Sequence, residues 1–478
     1  MKKIKYILFA SLIGAASCKK DELELFPYNQ IETSLAFNTE TDVTLAVNGM
    51  YAGLRTSGSY FVNGIWNIMA DALADNLIIN QTGRLTLKNY GEWRYTGEST
   101  SGLFAGGYSI IRRANAILEN IDKFPDGTFK NNARAEALAL RAMVYFDMTR
   151  VFSKTYENAG TGDSTMPYVT STDPTILPAK ESLRGFYDKV IADLEMAKTL
   201  IGSTNGIFRL NKNAVSGLLS RVYLYKGDFA ACITASNDAL GATPNVPIRS
   251  DFSKIWIDDT NNGVLFKVRN TKLDNINSQG VNYYQTVGGE RKSEYVVEYN
   301  FNTLFTPEDI RTSAYILKSP FNGVQYNHVI KYNGRTNGDP AGVVDGKVLR
   351  TAEVLLNRAE AYYRSGNPTA ALADLVLLKS NRYSAYVPEL ATDLPGAALL
   401  NEIYAQRRLE LAFEGDRFWD LKRRNLPVQR DGTKGEKSDG TGTPYVFTTL
   451  AAGDHKFQLP FPQDEVNYNT SLKQNPGY

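Results

Sequence analysis

The chain has 478 residues, of which 43% are hydrophobic and 22% charged, a balance that supports a sizeable folded core and excludes a mainly disordered chain. Its 53 basic and 51 acidic residues nearly cancel, which argues against nucleic acid as the main partner, because phosphate binding needs a net basic face. Only two His occur, His328 and His455, against 28 Tyr and 22 Phe, so His-based metal sites and general bases are scarce while aromatic surface is plentiful.

The N-terminus reads MKKIKYILFASLIGAASCKKDE. Lys2, Lys3 and Lys5 precede an apolar run from Ile4 to Ala16, and the small residues Ala15, Ala16 and Ser17 lead into Cys18. This is the layout of a secretory signal peptide over residues 1–17, too short to remain as a membrane span. A Cys directly after small residues resembles the lipobox of bacterial lipoproteins, with Ala15 standing where Leu is commoner. That resemblance implies a lipid on Cys18 and anchorage in a membrane. The following Lys19, Lys20, Asp21 and Glu22 resemble the surface-export signal of Bacteroidetes lipoproteins. With Cys18 acylated, Cys232 has no partner within the chain, and its helical apolar surroundings predict a buried small hydrophobe.

Residues 18–40 are polar and aperiodic, as a tether would be. From 41 to 243 the pattern is helical: Ile110, Ile111, Ala114, Ile117, Leu118 and Ile121 recur at helix spacing, and AEALALRAMVYFDMTRVF is rich in strong helix formers. Self-similarity runs through the chain. EALALRAMVYF and EVLLNRAEAYY share one frame, and LLSRVYLYKGDFAACITA overlays the turn that follows the second, placing Tyr223 on Tyr362, Gly227 on Gly366 and Cys232 on Ala371. A Tyr in one helix, a Gly-centred turn and small residues in the next helix is the tetratricopeptide pattern. Between 244 and 346 Gly, Asn, Asp and Tyr rise, helical spacing fades, and short runs such as VLFKV and YVVEY predict a few strands in a loop-rich insertion. Tetratricopeptide-like helices return over 347–430, and 431–478 reads as a plain surface loop followed by an extended tail. The predicted fold is therefore mainly α, with tetratricopeptide-like helix pairs forming an α-superhelical scaffold around an inserted loop-rich region.

The densest stretch is RRLELAFEGDRFWDLKRR, Arg407 to Arg424. Leu400, Tyr404, Leu411, Phe418 and Leu421 fall near one helical stripe, with Gly415 as a break, and Glu414–Arg417, Asp420–Arg423 and Asp420–Arg424 sit at pairing distance along a helix. Glu410 and Glu414 share a face and could serve as a carboxylate pair. However, Arg407, Arg408 and Arg417 stand within a turn or two, and a nearby guanidinium lowers a carboxylate pKa and removes it from acid duty. The stretch reads as a helix pair with an apolar face inward and charges interlocked at its margin, a scaffold seam with no catalytic residue.

The same stretch closely resembles the C-terminal signature of the SusD/RagB family of Bacteroidetes outer-membrane nutrient-binding lipoproteins. YSIIRRANAILENID, RAEALALRAMVYFDMTRVF, EVLLNRAEAYYRSGN and the closing LPFPQDEVNYNTSLKQNPGY extend that resemblance along the whole chain. It implies a lipid-anchored, cell-surface binding protein of the outer membrane, not an enzyme, that captures oligosaccharide or polysaccharide and passes it to a SusC-like TonB-dependent barrel transporter. Peptide cargo within the same family is the nearest alternative. A lipid-anchored scaffold that binds only proteins, and a surface glycoside hydrolase, are competitors from other classes. Sugar rings stack on flat aromatic faces flanked by amide, carboxylate or guanidinium groups. The candidate ligand residues are accordingly Trp66 with Asn67, Asp71 and Asp75; Trp93, Arg94 and Tyr95; and, in the insertion, Trp256, Tyr283, Tyr284, Tyr295 and Tyr299. No cofactor is expected. DDTNNG at 258–263 lacks the ligands of a calcium loop, since Thr260 and Arg269 stand at ligand positions, though a structural calcium ion held by loop carbonyls and Asp stays open.

Overall fold

The computed structural model describes residues 36–55, 65–273 and 282–478. Cys18 and most of the tether lie outside them. Eleven longer helices carry the architecture: α1 (Glu40–Gly53), α2 (Trp66–Leu73), α3 (Gly97–Asn120), α4 (Thr128–Phe152), α5 (Leu183–Leu200), α6 (Lys212–Lys226), α7 (Phe229–Leu240), α8 (Thr351–Arg364), α9 (Pro368–Ser380), α10 (Ala397–Glu410) and α11 (Arg417–Arg423). Strands are short: β1 (Leu77–Ile79), β2 (Val264–Val268), β3 (Gln285–Val287), β4 (Glu290–Lys292), β5 (Tyr295–Val297), β6 (Ile316–Phe321), β7 (Val324–Val329), β8 (Gly346–Arg350), β9 (Val428–Gln429) and β10 (Thr449–Leu450). No helix among the described residues is long and apolar enough to cross a membrane.

The two repeat copies aligned in sequence fold into the same device. α6 and α8 are each followed by a Gly in the left-handed region, Gly227 at φ +77° and Gly366 at φ +79°. The next helix is then capped by a side chain: Asp228 accepts from the Ala231 N–H, and Asn367 from the Ala370 N–H, both at 3.1 Å. Small residues on the second helix allow close approach. Cys232, fully buried against Leu224 and Ala361, donates its thiol to the Ser220 carbonyl at 3.3 Å, and burial pushes its pKa up to about 12. α4 is enclosed by α3 and α5, so nearly every residue from Ala133 to Phe152 is buried.

The insertion forms a second core built from rings. Trp256, Tyr283, Tyr295, Phe301, Tyr315, Tyr332 and Phe413 pack together beside the helical core. An antiparallel sheet of order β1-β5-β7-β6 lies over it, with Leu77 opposite Val297 and Val296 opposite His328. β1 comes from the N-terminal helical region, so that region and the insertion share one sheet. β2 pairs with β8, which runs directly into α8.

The Arg407–Arg424 stretch is a helix pair, as its sequence predicts, with Phe413 (φ +66°) and Gly415 (φ +80°) making the break. Tyr404, Leu411, Phe418 and Leu421 are buried, and Leu400 is half-buried. A Cβ on Gly415 would lie 3.0 Å from the Trp66 carbonyl, so close helix contact requires glycine there. Two expectations are corrected. The charges do not sit at a margin: Glu410 is fully buried and receives Arg350 at 2.8 Å, Arg382 at 2.8 Å and Arg311 at 3.5 Å. Glu414 and Arg417 do not pair either. Glu414 takes Lys331 at 2.7 Å and Arg350 at 2.5 Å, while Arg417 reaches Asp75 at 2.8 Å, because long-range partners from the insertion, from β8 and from the turn after α2 offer desolvated, multidentate contacts. Asp420 does pair with Arg423 and Arg424. The tail past 431 is not a free loop. Ser438 N–H donates to the Gln325 carbonyl, Tyr445 lies on the Leu77 carbonyl, and Asn475 Nδ2 donates to the Phe152 and Leu459 carbonyls.

Candidate ligand-binding site

Most of the aromatic residues singled out in the sequence are consumed by packing. Trp66 is stacked on Trp419 at 6.2 Å with Arg150 over its ring, and neighbouring Asn67 is buried. Trp93 donates its indole N–H to the Leu73 carbonyl at 2.9 Å beneath Arg430, and the Tyr95 hydroxyl donates to the Lys456 carbonyl. Trp256 lies under Lys331, Tyr283 stacks on Tyr332, and Tyr295 fills the middle of the sheet face. None of these six rings presents a free face. The physical reason is that burying an aromatic ring stabilises by more than exposing it for a ligand, and large rings set the insertion's own core.

The carboxylates of the first group are structural as well. Asp71 is enclosed, accepting from Asn76 Nδ2 at 2.7 Å and the Phe413 N–H at 3.3 Å, and burial raises its pKa to about 7. Asp75 is different. Burial alone would raise it, but Arg417 and Arg408 outweigh burial and bring it down to about 2. Arg94 is exposed and pairs with Glu92. Tyr299 is half-buried, with Lys434 over its ring at 5.1 Å.

Tyr284 has a different setting. It is half-buried, like Tyr299, at the foot of the β3–β4 hairpin, and the Arg291 guanidinium stacks on one face of its ring at 3.9 Å. The hairpin turns through Gly288 (φ +60°) and Gly289 (φ +84°), the two left-handed positions that a tight two-residue turn demands. Its register sets Gln285 against Lys292 and Thr286 against Arg291. Just beyond it, Glu294 joins the hairpin to a second loop, residues 80–88. The Glu294 carboxylate accepts from Arg84 Nε at 2.5 Å, the Thr86 N–H at 3.1 Å and Gln285 Nε2 at 3.3 Å, while its carbonyl accepts the Asn80 N–H at 2.9 Å. Burial acts to raise the Glu294 pKa, but the Thr86 and Arg84 contacts hold it below the usual range, so it is a fixed anion. Asn80 closes the second loop by accepting from the Thr82 N–H and hydroxyl, with Gly83 pressed against the Glu294 backbone. Beneath lies His328, whose Nδ1 faces the Ser293 hydroxyl at 2.7 Å. Burial, aided by the charge of Arg291, lowers its pKa to about 4, so it is neutral at pH 7.

The rim of the hairpin thus carries Tyr284 and Arg291 on one face and Gln285, tied through Glu294 to Arg84, on the other, held by short turns and a buried carboxylate. Arg84 keeps 62% of its side chain exposed although Nε is paired. Such a rim can stack on an apolar sugar face and donate hydrogen bonds to ligand oxygens without reorganising first. Arg84, Gln285, Arg291 and Glu294 were not among the residues singled out in the sequence. The available signal was QTV-GG-ERK, two short polar strands around a Gly-Gly turn.

Two family models match the chain in succession: one described as starch-binding and associating with the outer membrane, over residues 23–224, and one described as the SusD family, over residues 268–478. Together they span most of its length. The chain belongs to the SusD family. Across the whole of both chains it is 24% identical to SusD-like protein P2 of Formosa agariphila. A solved structure from Bacteroides vulgatus superposes with a TM-score of 0.80 at 25% identity, covering 93% of this chain and 99% of that one. Surface glycan-binding protein A from Bacteroides fluxus superposes with a TM-score of 0.71 at 20% identity, covering 92% and 100%. These SusD-family likenesses fit the mainly helical body with its inserted, strand-bearing region.

Proposed function

We propose that this SusD-family chain is a cell-surface glycan-binding lipoprotein, anchored through Cys18 in the outer membrane, that captures oligosaccharide at the β3–β4 rim. It delivers its cargo to a SusC-like TonB-dependent transporter and carries out no chemistry on it. Family membership supports the binding role, and the glycan class is supported by the description of the model over residues 23–224 and by the fold shared with a surface glycan-binding protein. The observation that carries the location is Tyr284, a half-buried ring on the β3–β4 hairpin with the Arg291 guanidinium stacked on one face.

The test is calorimetry of the purified protein against a broad panel of polysaccharides, with a reducing-sugar assay run on the same mixtures. Saturable binding without new reducing ends, weakened about tenfold or more by Tyr284→Ala at unchanged Tm, is the expected result. Binding that survives Tyr284→Ala unchanged would remove the site from this rim. Release of reducing ends would overturn the binding-only role.

A further inference from the structure

The charges on the rim do not balance. Three cations, Arg84, Arg291 and Lys292, stand beside two carboxylates, Glu290 and Glu294. Glu294 is committed to Arg84, Thr86 and Gln285, and Glu290 accepts from the Asn322 N–H at 2.8 Å. Lys292 lies over the Phe321 ring at 5.5 Å. His328 is neutral for the reasons given above. Arg291 has no carboxylate partner among the described residues. Its Nη1 donates to Asn333 Oδ1 at 2.8 Å and its plane rests on Tyr284. Partial burial lowers its pKa to about 10, which leaves it charged at pH 7.

A half-buried guanidinium without a counter-charge is costly unless an anion completes it. Among the fully enclosed arginines Arg311, Arg350 and Arg382 meet Glu410 and Arg423 meets Glu360, while Arg430 is completed by five backbone carbonyls. Arg291 has neither a carboxylate nor such a set of carbonyls among the described residues, and it lies against the half-buried ring of Tyr284. Its stacked, planar fork suits two oxygens of a carboxylate or sulfate, while Tyr284 takes the adjoining sugar ring.

We infer that the glycan taken at this rim is acidic, carrying carboxylate or sulfate groups, and that Arg291 is the residue that selects it. This rests on the glycan-binding role proposed above and adds its chemical class.

The experiment compares acidic polysaccharides with their neutralised forms: polygalacturonate and alginate against their carboxyl-reduced products, and carboxyl-reduced chondroitin sulfate against its desulfated product. Starch and xylan serve as neutral references. At least one acidic polymer is expected to bind at least about tenfold more tightly than its neutralised form. That preference should weaken as salt rises, disappear in Arg291→Gln and persist in part in Arg291→Lys, with Tm followed for each variant. The carboxyl-reduced and desulfated arms separate a uronate requirement from a sulfate requirement. Equal binding of acidic and neutral forms, or a preference kept in Arg291→Gln, overturns the acidic class but leaves a glycan site at Tyr284 standing. Failure of every polysaccharide to bind overturns the glycan role itself and this inference with it.

Discussion

Three guanidinium groups converge on Glu410, and at this single residue electrostatics outweighs desolvation. Burial would push the carboxyl up, yet Arg382, Arg350 and Arg311 hold it far below the usual carboxylate range. Removing one member of such a set leaves buried charge unpaired, so Glu410→Gln is expected to cost about 3–5 kcal/mol in urea unfolding, although it alters no ligand contact. Asp75 gives a pH-dependent version of the same effect. Its folded pKa of about 2 lies below the ordinary 3.8, so its stabilising contribution is fully present above pH 3.8 and is lost as pH falls towards 2. The difference corresponds to roughly 2 kcal/mol. Urea midpoints at pH 7 and pH 2.5 should therefore differ less in Asp75→Asn than in the wild type. An unchanged difference would show that the Arg408–Asp75–Arg417 bridge contributes nothing.

At the scale of elements, the helix pairs were legible in sequence and the proposed ligand rim was not. Gly227 and Gly366 announce their turns because a left-handed residue between two helices admits little else, and the frame of Tyr, Gly and small residues repeats. The Arg407–Arg424 seam was also legible as scaffold, but the burial of its ions was not, since their partners Arg311, Lys331, Arg350 and Asp75 arrive from far along the chain. The aromatic residues misled for a general reason. Composition counts rings without saying which face water, and Trp66, Trp93 and Trp256 went to the core. The hairpin carries its signal in two glycines and polar strands, too short for periodicity to register. Glycine substitutions separate these cases. Gly227→Ala meets open space and should cost only left-handed strain, about 1 kcal/mol, whereas Gly415→Ala also drives a Cβ to 3.0 Å from the Trp66 carbonyl and should cost more. Equal losses in urea midpoint would show that close approach at Gly415 is not limiting.

Across the whole molecule, the helical core and the aromatic core are joined by Glu410 and Glu414, which take Arg311 and Lys331 from the insertion, so loss of either core is expected to release the other. Cys232, on α7 and buried against Leu224 of α6 and Ala361 of α8, reports on this. Its thiol should stay inert to a disulfide reagent until the main unfolding transition and then react fully; reaction well before that transition would mean that the helix pairs open independently. Glu294 ties both loops of the proposed rim to one carboxylate. The most direct measurement of where the glycan sits is amide hydrogen exchange of the protein alone and saturated with the polysaccharide it binds most tightly. The expected result is slowed exchange in residues 80–88 and 282–294, with the rest little changed. Protection confined instead to the groove between α4 and α5 at Leu138, Asp193 and Met196 would contradict a ligand site at the β3–β4 rim.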